Sequence, residues 1–239
     1  AVLNYTFENE ENDSTYMNPV NVLSSKKRKA WYQVERRRTL IKNSDLPEWS
    51  KAVEDLNNSI VRDFLLFLLY TGLRRNEAAR LQWDQVDFRE GCFTIPTTKN
   101  GEPHTLPMSD YLKTLLMRRK AKAWADNPFV FPGNGKEGHL QEPKKPMATV
   151  TANTGIVFTC HDLRRTFATI AESLDLSGYT VKALLNHKQQ LGDVTGGYII
   201  LNVERLREPM QKITNAIHER IRKQHGQIVP MDPIQRESM

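Results

Sequence analysis

The sequence predicts a mainly α-helical fold carrying a small antiparallel β-sheet. Apolar residues recur at helical spacing over most of the chain from Pro47 onward. Strand-type runs are confined to residues 92–107 and 129–131. A chain of 239 residues, 39% apolar and 8% aromatic, is long enough to bury a core and too apolar for wholesale disorder.

The elements follow in order. Residues 1–20 are acidic and polar, with Glu8, Glu10, Glu11 and Asp13 and neither Lys nor Arg. The sign reverses at Lys26, Lys27, Arg28 and Lys29 and again at Arg36, Arg37 and Arg38. Such runs are either a solvated connector or a strap lying on phosphates, and both readings stay open. Asn43, Ser44 and Asp45 ahead of Pro47 and Glu48 are cap and first-turn residues, so a helix is expected over 47–56. A second helix is expected over 59–70, with Ile60, Phe64, Leu65 and Leu68 on one face and Gly72 stopping it. A short helix follows over 76–82. Residues 92–95 and 104–106 read as strands joined through Asn100 and Gly101, a strong hairpin pair, with Pro107 breaking the second. Ser109 and Asp110 offer an N-cap for a helix to residue 123. Residues 129–131 are one more short strand, and the Gly- and Pro-rich stretch 132–146 is loop. Helices are expected over 147–157, 162–173, 180–186 and 203–223, followed by a polar tail.

Composition removes several function classes. Cys92 and Cys160 are too few for a disulfide framework and lack the neighbouring ligands of a structural zinc site. No apolar run reaches the roughly 18 residues of a membrane span, and the N-terminus lacks the positive segment of a signal peptide. The expectation is a cytoplasmic, nucleoid-associated protein without a membrane partner. The first residue is not Met, which suggests a fragment. Lys and Arg number 34 against 28 Asp and Glu, a net charge of +6 that favours nucleic acid without proving it.

Four places carry side chains suited to chemistry. Arg74 follows the end of an apolar helix, and Glu77 lies three residues on, close enough to orient its guanidinium; a surface Arg after a helix cap would look the same. Lys99 sits at the hairpin tip, where a lysine either solubilises an edge or presents an ammonium proton to a leaving oxygen. His161 and Arg164 are three apart at a helix start and share a face. Arg offers a planar fork for phosphate oxygens and His trades a proton near neutral pH, but a capped helix with a satisfied His also explains the pair. His187 ends a short helix and is followed by Gly192, Gly196, Gly197 and Tyr198. The glycines would let the phenol swing toward a site built elsewhere, although a lone Tyr is most often a packing residue.

Taken in order, Arg74, Lys99, His161, Arg164, His187 and Tyr198 form a pattern more specific than any of its parts. With the segments Thr71 to Glu77, Leu81 to Asp87 and His161 to Thr169 around them, they make the chain resemble the tyrosine recombinase, or phage-type integrase, family over about residues 45–225. The resemblance implies the mainly α fold with a small sheet. It identifies Arg74 and Arg164 with the two catalytic arginines, Lys99 with the hairpin lysine, His161 and His187 with the two histidine positions, Tyr198 with the nucleophile and Glu77 with the acidic support of the first arginine. Arg165 joins the basic residues of 26–38 as a candidate phosphate contact.

The implied activity is site-specific strand cleavage and rejoining in double-stranded DNA through a 3′-phosphotyrosyl link, integrating or excising a mobile element with neither metal nor cofactor nor ATP. A monomer in solution assembling as a homo-tetramer on DNA is the implied partnership. Residues 1–40 then lead from an absent N-terminal DNA-binding domain, 41–224 form the catalytic domain, and 225–239 form a tail that packs on a neighbouring protomer. A type IB topoisomerase-like enzyme would share the chemistry, and an inactive DNA-binding homologue would share the charge. Two departures from the family pattern stand out. Asn186 occupies a position before the histidine that is often Gly, so a different local turn is expected, and the segment before Tyr198 is unusually Gly-rich.

Overall fold

The computed structural model describes residues 39–187 and 202–222. The basic residues of 26–38, the nucleophile candidate Tyr198 and the tail 225–239 lie outside the described residues.

Helix α1, Leu46–Glu54, begins with Pro47 in its first turn and buries Trp49 and Val53. The polar cluster ahead of it predicts a side-chain cap, yet the Asp45 carboxylate caps no helix N–H and instead accepts from the Ser44 hydroxyl at 2.7 Å. Helix α2, Ser59–Thr71, is capped by Asn58, whose side chain accepts from the Ile60 and Val61 amides. Periodicity suggests one apolar face for α2; every residue from Asp63 to Thr71 is in fact buried, as expected of a helix that neighbours cover on all sides. Gly72 ends it at φ 64°, and a Cβ there would lie 2.6 Å from the Phe167 ring, so both backbone and packing require glycine. A short helix α3, Arg75–Ala79, follows at once and is shorter than expected.

A 3₁₀ turn at Trp83–Gln85 and a two-residue strand β1, Val86–Asp87, were not foreseen by the pattern. Strands β2, Cys92–Ile95, and β3, His104–Pro107, complete an antiparallel sheet in the order β1-β2-β3. Pro107 is tolerated because it is the last residue of its strand, opposite Cys92. The strand expected at 129–131 is not formed. Phe129 makes only an isolated bridge with Gln82, while Val130 and Phe131 are buried as core.

Helix α4, Asp110–Lys120, starts at Ser109, whose hydroxyl accepts from the Leu112 amide as anticipated. Helix α5, Lys144–Thr154, begins three residues before its expected start, with Pro146 in its first turn where no intrahelical N–H is lost. Helix α6, Cys160–Glu172, starts two residues early because Thr159 and Asp162 cap it reciprocally. Helix α7, Gly178–Leu184, starts early for the same kind of reason, with the Ser177 hydroxyl accepting from the Thr180 amide. Helix α8, Val203–Arg222, carries Pro209 within its length and presents Leu206, Met210, Ile213 and Ile217 to the core.

Phe67 joins the sheet to the 129–131 segment, its ring centroid 5.4 Å from Phe93 and 5.3 Å from Phe131, while Phe64 meets Phe131 at 5.2 Å. Each such buried ring contributes about 2 kcal/mol by area, so α2 acts as the keel against which α6, α4 and the sheet are set. Among the described residues no helix is long and apolar enough to cross a membrane.

Candidate active site

Arg74 sits at the junction that Gly72 creates. The left-handed turn at Gly72 reverses the chain, Arg74 is extended at φ −71° and ψ 144°, and α3 begins on the next residue. The Glu77 carboxylate accepts the Arg74 backbone N–H at 3.1 Å and its Nη1 at 2.9 Å. Glu77 is buried and the Arg74 side chain is 26% exposed, so the guanidinium is pinned from below and open above.

Arg164 enters the same neighbourhood from α6. It is 5% exposed, and its two terminal nitrogens donate to separate carbonyls, Nη1 to Gly72 and Nη2 to Leu185, each at 2.6 Å. One planar group thus joins the turn before Arg74 to the turn before His187. Burial, and then the charge of Arg74, pulls the Arg164 pKa down to about 10, which leaves it charged at neutral pH. Two guanidiniums share Glu77 as their nearest acidic neighbour, so the cluster holds a surplus positive charge in a partly desolvated place. Such a surplus favours an anion.

His161 lies in the first turn of α6 and is exposed. Burial of part of the ring, then the charges of Arg165, Arg164 and Arg74, hold its pKa below the usual imidazole range. His187 is exposed just past α7 and is lowered by burial, then by Arg164, Arg74 and Lys182. Both rings are therefore neutral at pH 7, and an anion brought between the arginines would raise their affinity for a proton. Lys99 is exposed on the β2–β3 hairpin between buried Thr98 and half-buried Asn100. A cleft of about 980 Å³ is lined by Arg74, Glu77, Lys99 and His161 together with Gln82 and His139. Arg164 and His187 do not line that cleft; Arg164 bonds the Gly72 carbonyl, one residue before the lining residue Leu73, and His187 follows Leu185 and Asn186 in the turn that Arg164 holds.

Arg165 is engaged within the fold. Its guanidinium donates to Asp162 at 3.0 Å and to the Thr39 carbonyl at 3.2 Å, while the Thr39 hydroxyl donates to Asp162 at 2.8 Å. Burial pushes the Asp162 carboxyl up, but these bonds and those from Thr159 outweigh it and leave the group below the usual carboxylate range. The arrangement straps residues 39–41 onto α6, with the Ile41 amide donating to Thr166 at 3.0 Å. Among the described residues no three His, Cys, Asp or Glu side chains are grouped to hold a metal ion.

Asn186 is in the left-handed region, at φ 47°. Asn tolerates this left-handed region better than other non-glycine residues. His104 reads in the sequence only as a strand residue. It is buried at the start of β3, and its Nε2 lies 3.1 Å from the Leu184 carbonyl, which fixes the N–H on that nitrogen since a carbonyl can only accept.

Residues 38–202 match the phage integrase family. The prophage integrase IntF of Escherichia coli K12 is 33% identical over 153 residues, covering 62% of this chain and 32% of that protein. The tyrosine recombinase XerA of Pyrococcus furiosus is 25% identical over 181 residues, covering 73% of this chain and 63% of that protein. The chain therefore spans less than two thirds of the length of either relative. In fold it is similar to an integrase from mycobacterium phage Brujita, with a TM-score of 0.56 at 20% identity over 79% of this chain and 65% of that one. It is also similar to the Tn1549 transposon integrase solved with transposon right end DNA, with a TM-score of 0.60 at 14% identity over 84% of this chain and 73% of that one.

Proposed function

The chain belongs to the phage integrase family, and from that premise we propose that it is the catalytic part of a tyrosine-type site-specific recombinase acting on double-stranded DNA. The observation that carries the reading is a pair of neighbouring guanidiniums: Arg74, clamped by Glu77, lines an open cleft together with Lys99 and His161, and Arg164 is buried behind it on the Gly72 and Leu185 carbonyls. A phosphodiester under attack gathers negative charge on its non-bridging oxygens, and preoriented forks stabilise that charge without reorganising.

In this reading the Tyr198 phenolate oxygen forms a bond to phosphorus and the bond from phosphorus to the 5′-oxygen breaks. The phenol proton passes to neutral His161, and Lys99 gives a proton to the leaving 5′-oxygen. His187 donates to a non-bridging oxygen. The 3′-phosphotyrosyl link conserves the phosphodiester bond energy, so attack by the 5′-hydroxyl of another strand completes the exchange. The DNA-bound state of a solved integrase neighbour supports DNA as the partner. Residues 41–224 would be the catalytic domain and 1–40 a linker and basic segment leading into it from an N-terminal DNA-binding domain. Residues 225–239 would pack on a neighbouring protomer in a tetramer formed on DNA from monomers, within the cytoplasm and on the nucleoid.

The test is covalent trapping on a nicked duplex carrying the junction of the element, followed by denaturation. An adduct with the parent chain and none with Tyr198→Phe is expected. An adduct with both would move the nucleophile to another residue. Retained DNA affinity without any adduct, in a chain restored to full length, would leave a DNA-binding homologue instead.

A further inference from the structure

The hairpin and the turn before His187 are tied together by an asymmetric pair of amides. Asn186 donates its side-chain N–H to the Thr98 hydroxyl at 3.0 Å, and Asn100 donates its side-chain N–H to the Asn186 backbone carbonyl. The two contacts bracket Lys99, one on each neighbour, and join positions 86 to 88 residues apart. Thr98 is itself committed: its hydroxyl donates to the Glu102 carbonyl at 2.8 Å and accepts the Asn100 amide at 3.3 Å, which closes the loop. A second tie lies at the base of the hairpin, from the His104 ring to the Leu184 carbonyl. On the other side the Leu185 carbonyl is held by Arg164. The turn 184–187 is therefore gripped by the hairpin and by Arg164 together, and Asn186 is the residue within it whose side chain reaches toward Lys99.

We propose that Asn186, with Asn100 and Thr98, is a latch that positions the Lys99 ammonium relative to His187 over one phosphate. The inference rests on the recombinase reading, in which Lys99 protonates the leaving oxygen while His187 contacts the same phosphate. A lysine has a flexible four-carbon stem and an exposed head, so its reach is set by where its Cα is held. Without the latch the hairpin tip would keep its turn, since the loop closes on itself through Thr98, but would no longer be held at a fixed place beside His187. Asn at this position supplies what glycine cannot: it accepts the left-handed turn and adds a donor aimed at the hairpin. Asn186 is a positioning residue in this scheme, acting through Lys99.

The test separates proton delivery from every other step. Single-turnover cleavage is measured on two duplexes, one with the natural 5′-oxygen at the scissile phosphate and one with a bridging 5′-sulfur, which leaves as thiolate without needing a proton. The proteins are the parent, Lys99→Met, Asn186→Gly and Asn100→Ala, each checked by its thermal midpoint; Asn186→Gly keeps the left-handed turn. Asn186→Gly and Asn100→Ala should slow cleavage of the oxygen substrate about tenfold, the cost of one lost orienting bond, and leave the sulfur substrate within about twofold of the parent. Lys99→Met should show the same pattern with a larger loss. Equal slowing of both substrates by Asn186→Gly, or no slowing of either, overturns the latch. Equal slowing of both by Lys99→Met removes the proton-donor role and the latch with it. A parent that cleaves neither substrate counts against the recombinase reading, a failure visible before any latch variant is compared.

Discussion

The two arginines and the three side chains proposed to handle protons are built on opposite terms. Arg164 is buried, with both terminal nitrogens on backbone carbonyls, and Arg74 is clamped by a buried carboxylate. Lys99, His161 and His187 are exposed, at a hairpin tip, a helix start and a turn. Groups that stabilise charge by being already in place must be anchored in the core, where low dielectric strengthens them and packing holds them still. Groups that move protons need a pKa near the working pH and access to the reacting atoms, which deep burial would deny. Replacements in the first set should therefore damage both fold and cleavage, and replacements in the second set cleavage alone.

Arg164→Lys should show the largest effect. An ammonium cannot bridge Gly72 and Leu185, so at least one buried carbonyl loses its partner. Denaturant unfolding should report a loss of about 2–3 kcal/mol, and single-turnover cleavage should fall about a thousandfold. Unchanged stability would erase the distinction between the two sets. Lys99→Met comes next, with cleavage down about a hundredfold and the thermal midpoint unmoved. A drop in that midpoint would mean that the hairpin tip is a structural element rather than an arm.

Gly72→Ala probes the joint between the sets. A Cβ at this left-handed position would press on the Phe167 ring at 2.6 Å, and the displaced carbonyl is one that Arg164 holds. A stability loss of about 2 kcal/mol is expected, with cleavage falling because Arg74 follows two residues later. If stability falls and cleavage does not, the Gly72 turn does not set the position of Arg74.

What the sequence revealed of this site is what local spacing can carry. Arg74 and Glu77 are three residues apart at a helix start, so geometry within one turn brings them together; His161 and Arg164 have the same spacing in α6, one exposed and the other buried. The Asn100 and Gly101 pair announced a turn, but nothing in it says that Asn100 meets Asn186 or that His104 meets Leu184, because those contacts depend on how α7 docks against the sheet. The run over 129–131 has strand composition for a different reason: Val130 and Phe131 fill the core, and apolar β-type residues serve that purpose without a ladder. Helix α2 reads as one-faced because Arg62 and Asp63 interrupt its apolar run. Yet Asp63 is buried too, paired with Arg118 at 2.8 Å and Arg62 at 3.0 Å.

The smallest expected effect is also the one that tests whether the histidines are neutral. Burial is the leading cause that lowers His104, His161 and His187 below the ordinary 6.5. Below that pH the unfolded chain takes up protons that the folded chain refuses, so stability is fully present above about 6.5 and is lost as pH falls from there toward the folded values. Urea midpoints at pH 7.5 and 5.5 should show the decline, and His104→Gln should flatten it, since an amide can still donate to the Leu184 carbonyl but does not titrate. A bound oligonucleotide should reduce the decline further, because a phosphate between Arg74 and Arg164 would raise the proton affinity of His161 and His187 and so weaken the penalty of acid. An acid decline that the oligonucleotide leaves untouched would mean that the phosphate does not sit within reach of these rings, and the cleft would need another occupant.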